Sequence, residues 1–157
     1  MIQLMPKKGD LLAVTKGHIV HGCNAQGVMG SGVALAVKKK YPAAFENYMF
    51  HHNTPEGLIL GIAYPFAINP ELTIWNAITQ ESFGQPFRNV SYDAIQTCFA
   101  QINESIHLDQ SSVEGLDHPT EVHIPMIGAG LGGGNWEIIK TIIEQTMDYP
   151  TTVWILQ

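Results

Sequence analysis

Two glycine-rich stretches hold the residues best suited to chemistry in this sequence. One is CNAQGVMGSGVAL, Cys23 to Leu35, where Gly27, Gly30 and Gly32 surround Ser31. The other is IPMIGAGLGGGNW, Ile124 to Trp136, with glycine at 128, 130, 132, 133 and 134. Each lies between an apolar, strand-like run and a helical pattern. At such a junction, backbone N–H groups and the positive end of a helix hold an anion without lysine or arginine. Glycine lets the backbone come close to a phosphate. Two such junctions together imply a clamp on both sides of one diphosphate. Asn135 fits an N-cap of the helix after the second stretch, and Ser31 can cap the helix after the first or donate to an anion.

Gly128, Gly130 and Gly133 literally match the dinucleotide fingerprint G-x-G-x-x-G. Its position argues against that reading. The fingerprint opens a β-α-β unit with more sheet to follow and an acidic residue ending the next strand. Here one helix and one strand remain, and Asp148 falls at the helix end. No G-K-[ST] follows either stretch, which argues against a P-loop.

HGCN precedes the first stretch, with His21 three residues before Asn24. A histidine titrates near neutral pH and serves as acid, base or nucleophile toward a phosphate ester. The alternative is a buried structural histidine. In a regular strand His21 and Asn24 face opposite sides, so a shared site requires a bend at Gly22. Asn24 itself reads either as a ligand contact or as a turn-capping amide. Gln80, Glu81 and Ser82 fall in a rim loop.

The elements that must position these groups follow from periodicity. Strands are expected at Ile2–Met5, His18–Asn24, Leu58–Tyr64, Leu72–Thr79, Glu121–Ile127 and Thr151–Leu156. Helices are expected from Ser31 to Lys40, from Pro42 to His52, over Ser91–Ile106 with Ala94, Ile95, Cys98, Phe99, Ile102 and Ile106 inward, and over Trp136–Met147 with Ile138, Ile139, Ile142 and Ile143 inward. GDLLAV reads as a turn and extension, and Ser111–Thr120 as a loop. Alternating strands and helices give one α/β domain over residues 1–157, a three-layer sandwich around a mixed, mostly parallel sheet. Ligands in such sheets sit at the C-terminal strand ends, which puts both glycine stretches on one rim.

The 157 residues are 45% apolar, enough for a core, and only 14% charged. A net charge of -6 argues against bulk nucleic-acid binding, which favours basic proteins. Cys23 and Cys98 form no C-x-x-C pair and read as reduced thiols of a cytosolic protein. The histidines lack metal-ligand spacing, so no metal or other cofactor is expected. No export signal or membrane-length apolar run is visible.

GDLL, HGCNAQGVMGSGVALAVKKKYP, IPMIGAGLGGGNWEIIKTIIE and TTVWIL, in that order and spacing, resemble the macrodomain family of ADP-ribose-binding modules across nearly the whole chain. The MGSGVALAVKKKYP version resembles the branches that process ADP-ribose-1″-phosphate or remove ADP-ribose from protein and DNA. The resemblance implies that Asp10, with Leu11 beside it, accepts from the adenine amino group and that Asn24 bonds the distal ribose. It places one phosphate loop at Gly30, Ser31, Gly32 and Val33 and the other at Ile127, Gly128, Ala129, Gly130, Leu131 and Gly132. Trp136 and Trp154 are candidates for a flat wall, with core packing as the alternative for Trp154. Where lysine-dependent relatives carry their lysine this chain has Gln80, and where one has an aspartate it has Gly132. Neither can do that chemistry. The resemblance therefore implies a monomer that binds ADP-ribose and dephosphorylates ADP-ribose-1″-phosphate through His21 and Asn24. A non-catalytic reader, and a hydrolase of ADP-ribosylated macromolecules using an ordered water, are the alternatives.

Overall fold

The computed structural model describes residues 1–84, 86–112 and 118–156. Six strands form one sheet: β1 (Met5–Lys8), β2 (Gly17–Asn24), β3 (Ala63–Asn69), β4 (Leu72–Gln80), β5 (Val122–Ile124) and β6 (Thr151–Ile155). Their spatial order is β1-β6-β5-β2-β4-β3, parallel throughout except for the β3–β4 pair. Helices α1 (Gly32–Lys40) and α2 (Pro42–His52) cover one face, and α3 (Tyr92–Ser112) and α4 (Trp136–Thr146) the other. The three-layer α/β/α expectation holds.

Strand β2 is central and buried along nearly its whole length, and its polar members His18, His21 and Asn24 each have a hydrogen-bond partner. Val20, Ala77 and Ile124 face the α3/α4 layer, where Ile95, Cys98, Phe99, Ile102, Ile106, Ile139 and Ile143 pack. Ile19 and Ile74 face α1 and α2 with Val37 and Ala44. The inward positions expected on α3 are all buried. On α4 Ile139 and Ile143 are inward, but Ile138 is 44% exposed, so the apolar stripe is narrower than the sequence implies.

Two strands sit later than expected. β1 begins at Met5, because the backbone N–H groups of Ile2 and Leu4 are used on Glu144 instead of a strand. The apolar run at Leu58–Tyr64 is a strand only from Ala63: Gly61, at φ +91°, turns the chain, and its N–H caps the Ile78 carbonyl. From Ala63 the chain runs as an antiparallel edge, where Pro65 is tolerated. β5 is shorter than expected, ending before Pro125. GDLLAV contains a 3-10 turn, Leu11–Ala13. In the expected loop at Ser111–Thr120, residues 111 and 112 finish α3, and 113–117 lie outside the described residues. No described helix is long and apolar enough to cross a membrane.

Asn135 caps α4 as expected, its side chain accepting the Glu137 N–H at 2.9 Å. Asn135→Ala is expected to cost about 1 kcal/mol, read as a lower denaturation midpoint with an unchanged denaturant slope.

Candidate functional site

Strands β2 and β5 are parallel neighbours, so the chains leaving them rise on the same rim. The two glycine stretches are those chains, and they meet there. Two cavities of about 530 and 560 Å³ open between them. Gly32, Val33, Pro125, Met126 and Gly130 line both, making one groove with two lobes. Gly32 and Gly128 hold φ of +60° and +75°, conformations that favour glycine. Leu131 reaches across so that its Cδ1 lies 3.5 Å from where a Gly32 Cβ would stand, bridging the two loops.

The first lobe is lined by Asp10, Leu11, Leu12, Ala129, Trp154 and Leu156 among others. Asp10 caps the 3-10 turn, its Oδ1 accepting the Leu12 N–H at 2.9 Å. The second lobe holds Asn24, Gly30, Ser31, Thr79, Gln80 and Phe83, with Ile127, Gly128, Leu131 and Gly132 from the other loop. The Asn24 amide is tied down locally: Nδ2 donates to Val28 O at 2.8 Å and Oδ1 accepts the Gln26 N–H at 2.9 Å. Its backbone carbonyl accepts from the Tyr48 hydroxyl at 2.6 Å. Asn24 therefore caps its turn and lines the lobe at once, with one amide N–H left over. Ser31 occupies the N-cap position of α1 but makes no side-chain capping bond, so of its two expected roles the cap is not the one taken.

His21 departs most from the sequence reading. Its ring is fully buried and lines neither lobe. It lies 2.6 Å from Asn76 Oδ1, and Asn76 Nδ2 donates to the Ala44 carbonyl, so the pair stitches β2 and β4 to α2. Burial holds its pKa down at about 4, partly offset by the Asn76 bond. That setting matches the structural alternative for His21 more closely than the catalytic one. The bend needed to bring it beside Asn24 is absent at Gly22; the register slips one residue later, between Cys23 and Asn24. Trp136 opens α4 and packs against the core rather than lining either lobe.

Gly132 is confined by its surroundings. A Cβ there would stand 2.8 Å from Gly128 O and 3.2 Å from Gln80 Oε1, so this backbone excludes an aspartate. The Gly132 carbonyl in turn accepts from the N–H groups of Asn89 and Val90. Gln80 lines the lobe with its Nε2 donating to Ser82 O at 2.7 Å.

No family model matches the chain. An uncharacterized 17.5 kDa protein from the tk-vs intergenic region of Enterobacteria phage T4 is 33% identical over 142 residues, covering 87% of this chain and 85% of that one. The ADP-ribose 1″-phosphate phosphatase of Candida albicans is 24% identical, with 99% and 100% of the two chains covered. The solved structure of a macrodomain protein from Streptomyces coelicolor superposes with a TM-score of 0.71 at 26% identity, covering 98% of this chain and 99% of that one. The chain belongs to the macrodomain family.

Several lining residues of this macrodomain escape sequence reasoning. Thr79 and Phe83 reach the second lobe, and Leu12 and Leu156 the first. Thr79 carries a signal in its position next to Gln80, but its place beside Gly22 depends on the β2–β4 pairing: a Cβ on Gly22 would meet Thr79 Oγ1 at 2.8 Å. Among the described residues, Cys23 is the only acidic, basic or thiol side chain lining the second lobe. Burial pushes its thiol well above the usual range, which makes it a poor nucleophile. Among the described residues no three His, Cys, Asp or Glu side chains converge as a metal set would.

Proposed function

We propose that this macrodomain binds ADP-ribose along the two-lobed groove, with adenine at Asp10, the diphosphate between the two glycine loops, and the distal ribose beside Asn24, Thr79 and Gln80. The observation that carries this reading is the convergence of both loops on one groove whose lobes end in Asp10 on one side and Asn24 on the other. An anion held there needs no lysine, in keeping with a chain of net charge -6.

A second reading adds turnover. Fungal relatives that span nearly the whole chain bear the name ADP-ribose 1″-phosphate phosphatase. With His21 buried, the reaction runs through water held by the neutral amides and hydroxyl of the second lobe. The water oxygen attacks phosphorus and the bond to the ribose oxygen breaks. The water proton passes to a phosphate oxygen and on to the departing ribose oxygen, releasing inorganic phosphate. Without a general acid or base, worth about 10²–10⁴-fold, such turnover is slow. Absence of phosphate release above the buffer rate leaves the binding reading standing and removes this one.

The base-binding end is tested by Asp10. A carboxylate accepts from the adenine amino group, whereas hypoxanthine offers an oxygen there. Wild-type protein is expected to prefer ADP-ribose over its hypoxanthine analogue by roughly tenfold or more, as a charged hydrogen bond is worth about 1.5–3 kcal/mol. Asp10→Asn retains an acceptor for Leu12 N–H and is expected to erase that preference. Calorimetry with both ligands reads it, and an unchanged preference would place the base elsewhere.

A further inference from the structure

Trp154 is held on several sides. Its indole Nε1–H donates to His123 Nδ1 at 3.0 Å, with the rings 6.0 Å apart and tilted by 42°. The Lys7 ammonium lies 5.0 Å from the indole centroid. Gly9 abuts the six-membered ring so closely that a Cβ there would stand 3.0 Å from Cζ3. The indole is also part of the lobe that contains Asp10, Leu11 and Leu12. A core tryptophan needs a partner for its N–H but not a cation over its face. The hydrogen bond fixes the imidazole as well: Nδ1 accepts, so in the neutral ring the proton sits on Nε2.

We propose that His123 is a positioning residue for the ligand base: by accepting the Trp154 indole N–H it holds the indole as a wall of the Asp10 lobe, and protonation of His123 releases that wall and weakens ligand binding. The proposal rests on the reading that ADP-ribose occupies this groove. An imidazolium has two donors and no acceptor, so it cannot keep the bond to an indole N–H. Lost base contacts then appear directly as lost affinity.

The charges around His123 set where this happens. Burial lowers its pKa from the ordinary 6.5; Glu121 opposes the shift, while Lys7 and His18 add to it. Asp10 lines the same lobe, and Lys40 donates to the Leu12 carbonyl there. Binding is therefore complete at neutral pH and falls only below the ordinary histidine range. The matching pair on the other face, Trp75 Nε1–H to His18 Nδ1 at 3.0 Å, is fully within the core and touches neither lobe.

The test combines NMR of the indole N–H groups with calorimetry across pH. In the ligand-free protein the Trp154 indole signal, assigned with Trp154→Phe, is expected to move as pH falls below neutral, and the wild-type affinity for ADP-ribose to drop at least fivefold over the same interval. His123→Asn offers a non-titrating acceptor near the Nδ1 position. It is expected to bind within twofold of wild type at pH 7.5 and to lose that pH dependence. His123→Leu is expected to bind roughly tenfold more weakly. Parallel affinity losses in wild type and His123→Asn, or wild-type affinity in His123→Leu, would overturn the proposal. If His123→Leu does not fold, the His123→Asn profile decides. Absence of ADP-ribose binding by the wild type at pH 7.5 is a different failure, that of the groove assignment, and the indole titration still reports whether His123 controls Trp154.

Discussion

Gly130→Glu is expected to weaken ADP-ribose binding by more than about 100-fold while leaving Tm nearly unchanged. Gly130 lines both lobes, and on the proposed reading the ligand's diphosphate passes from one to the other there. No heavy atom lies within 4 Å of a Cβ built on it, and its φ is not positive, so the fold accepts a side chain there. The groove does not. A carboxylate set beside a diphosphate costs several kcal/mol of like-charge repulsion, and about 1.4 kcal/mol is tenfold in affinity. Gly130→Ala separates the steric part from the charge and is expected to cost closer to tenfold. Gly132 offers no such clean test, because a Cβ there strikes the Gly128 carbonyl and disturbs the loop itself. Calorimetry and thermal melts of the Gly130 variants give both readouts, and affinity within tenfold of wild type in Gly130→Glu means that no diphosphate crosses at this point.

Gly130 was readable from sequence because its signal is local: a glycine cluster between a strand pattern and a capped helix. The same holds for Asn135 and for the inward face of α3. What escaped depends on pairing between distant segments. Thr79 enters the site only because β4 lies beside β2, and Trp154 meets its partner His123 across the β5–β6 register. The β3 error has a similar cause. Leu58 packs beside Cys23, Met29, Tyr48 and Ile78 while Ile59 and Leu60 are exposed, and the turn at Gly61 becomes visible only with Ile78 opposite it, bonded to Gly61 and Ile62. His21 turns on parity: it stands three positions before Asn24, so along the strand the two face opposite sides, and only Asn24 lines the lobe.

That placement leads to the other large expected effect. If His21 is structural, His21→Ala damages the fold and not the chemistry. The substitution leaves a void between β2, β4 and α2 and strips the buried Asn76 Oδ1 of its donor, together worth about 3–5 kcal/mol. Ligand affinity and any phosphate release, counted per folded molecule, are expected to stay within about threefold of wild type. The pH dependence follows from the same burial. The folded histidine has its pKa at about 4, against 6.5 for an ordinary one, so as pH falls the unfolded chain takes up its proton first. The stabilisation is complete above pH 6.5 and is lost as pH falls toward 4, for a total of about 3 kcal/mol at 1.36 kcal/mol per pH unit. His18 and His123 are shifted the same way by burial and add to it. Denaturation series at pH 7.5, 6.0, 5.0 and 4.5 measure the slope. The His21→Ala protein, less stable throughout, is expected to show a shallower decline than wild type. Equal slopes, or a His21→Ala protein that is stable but inactive, would return His21 to the reaction.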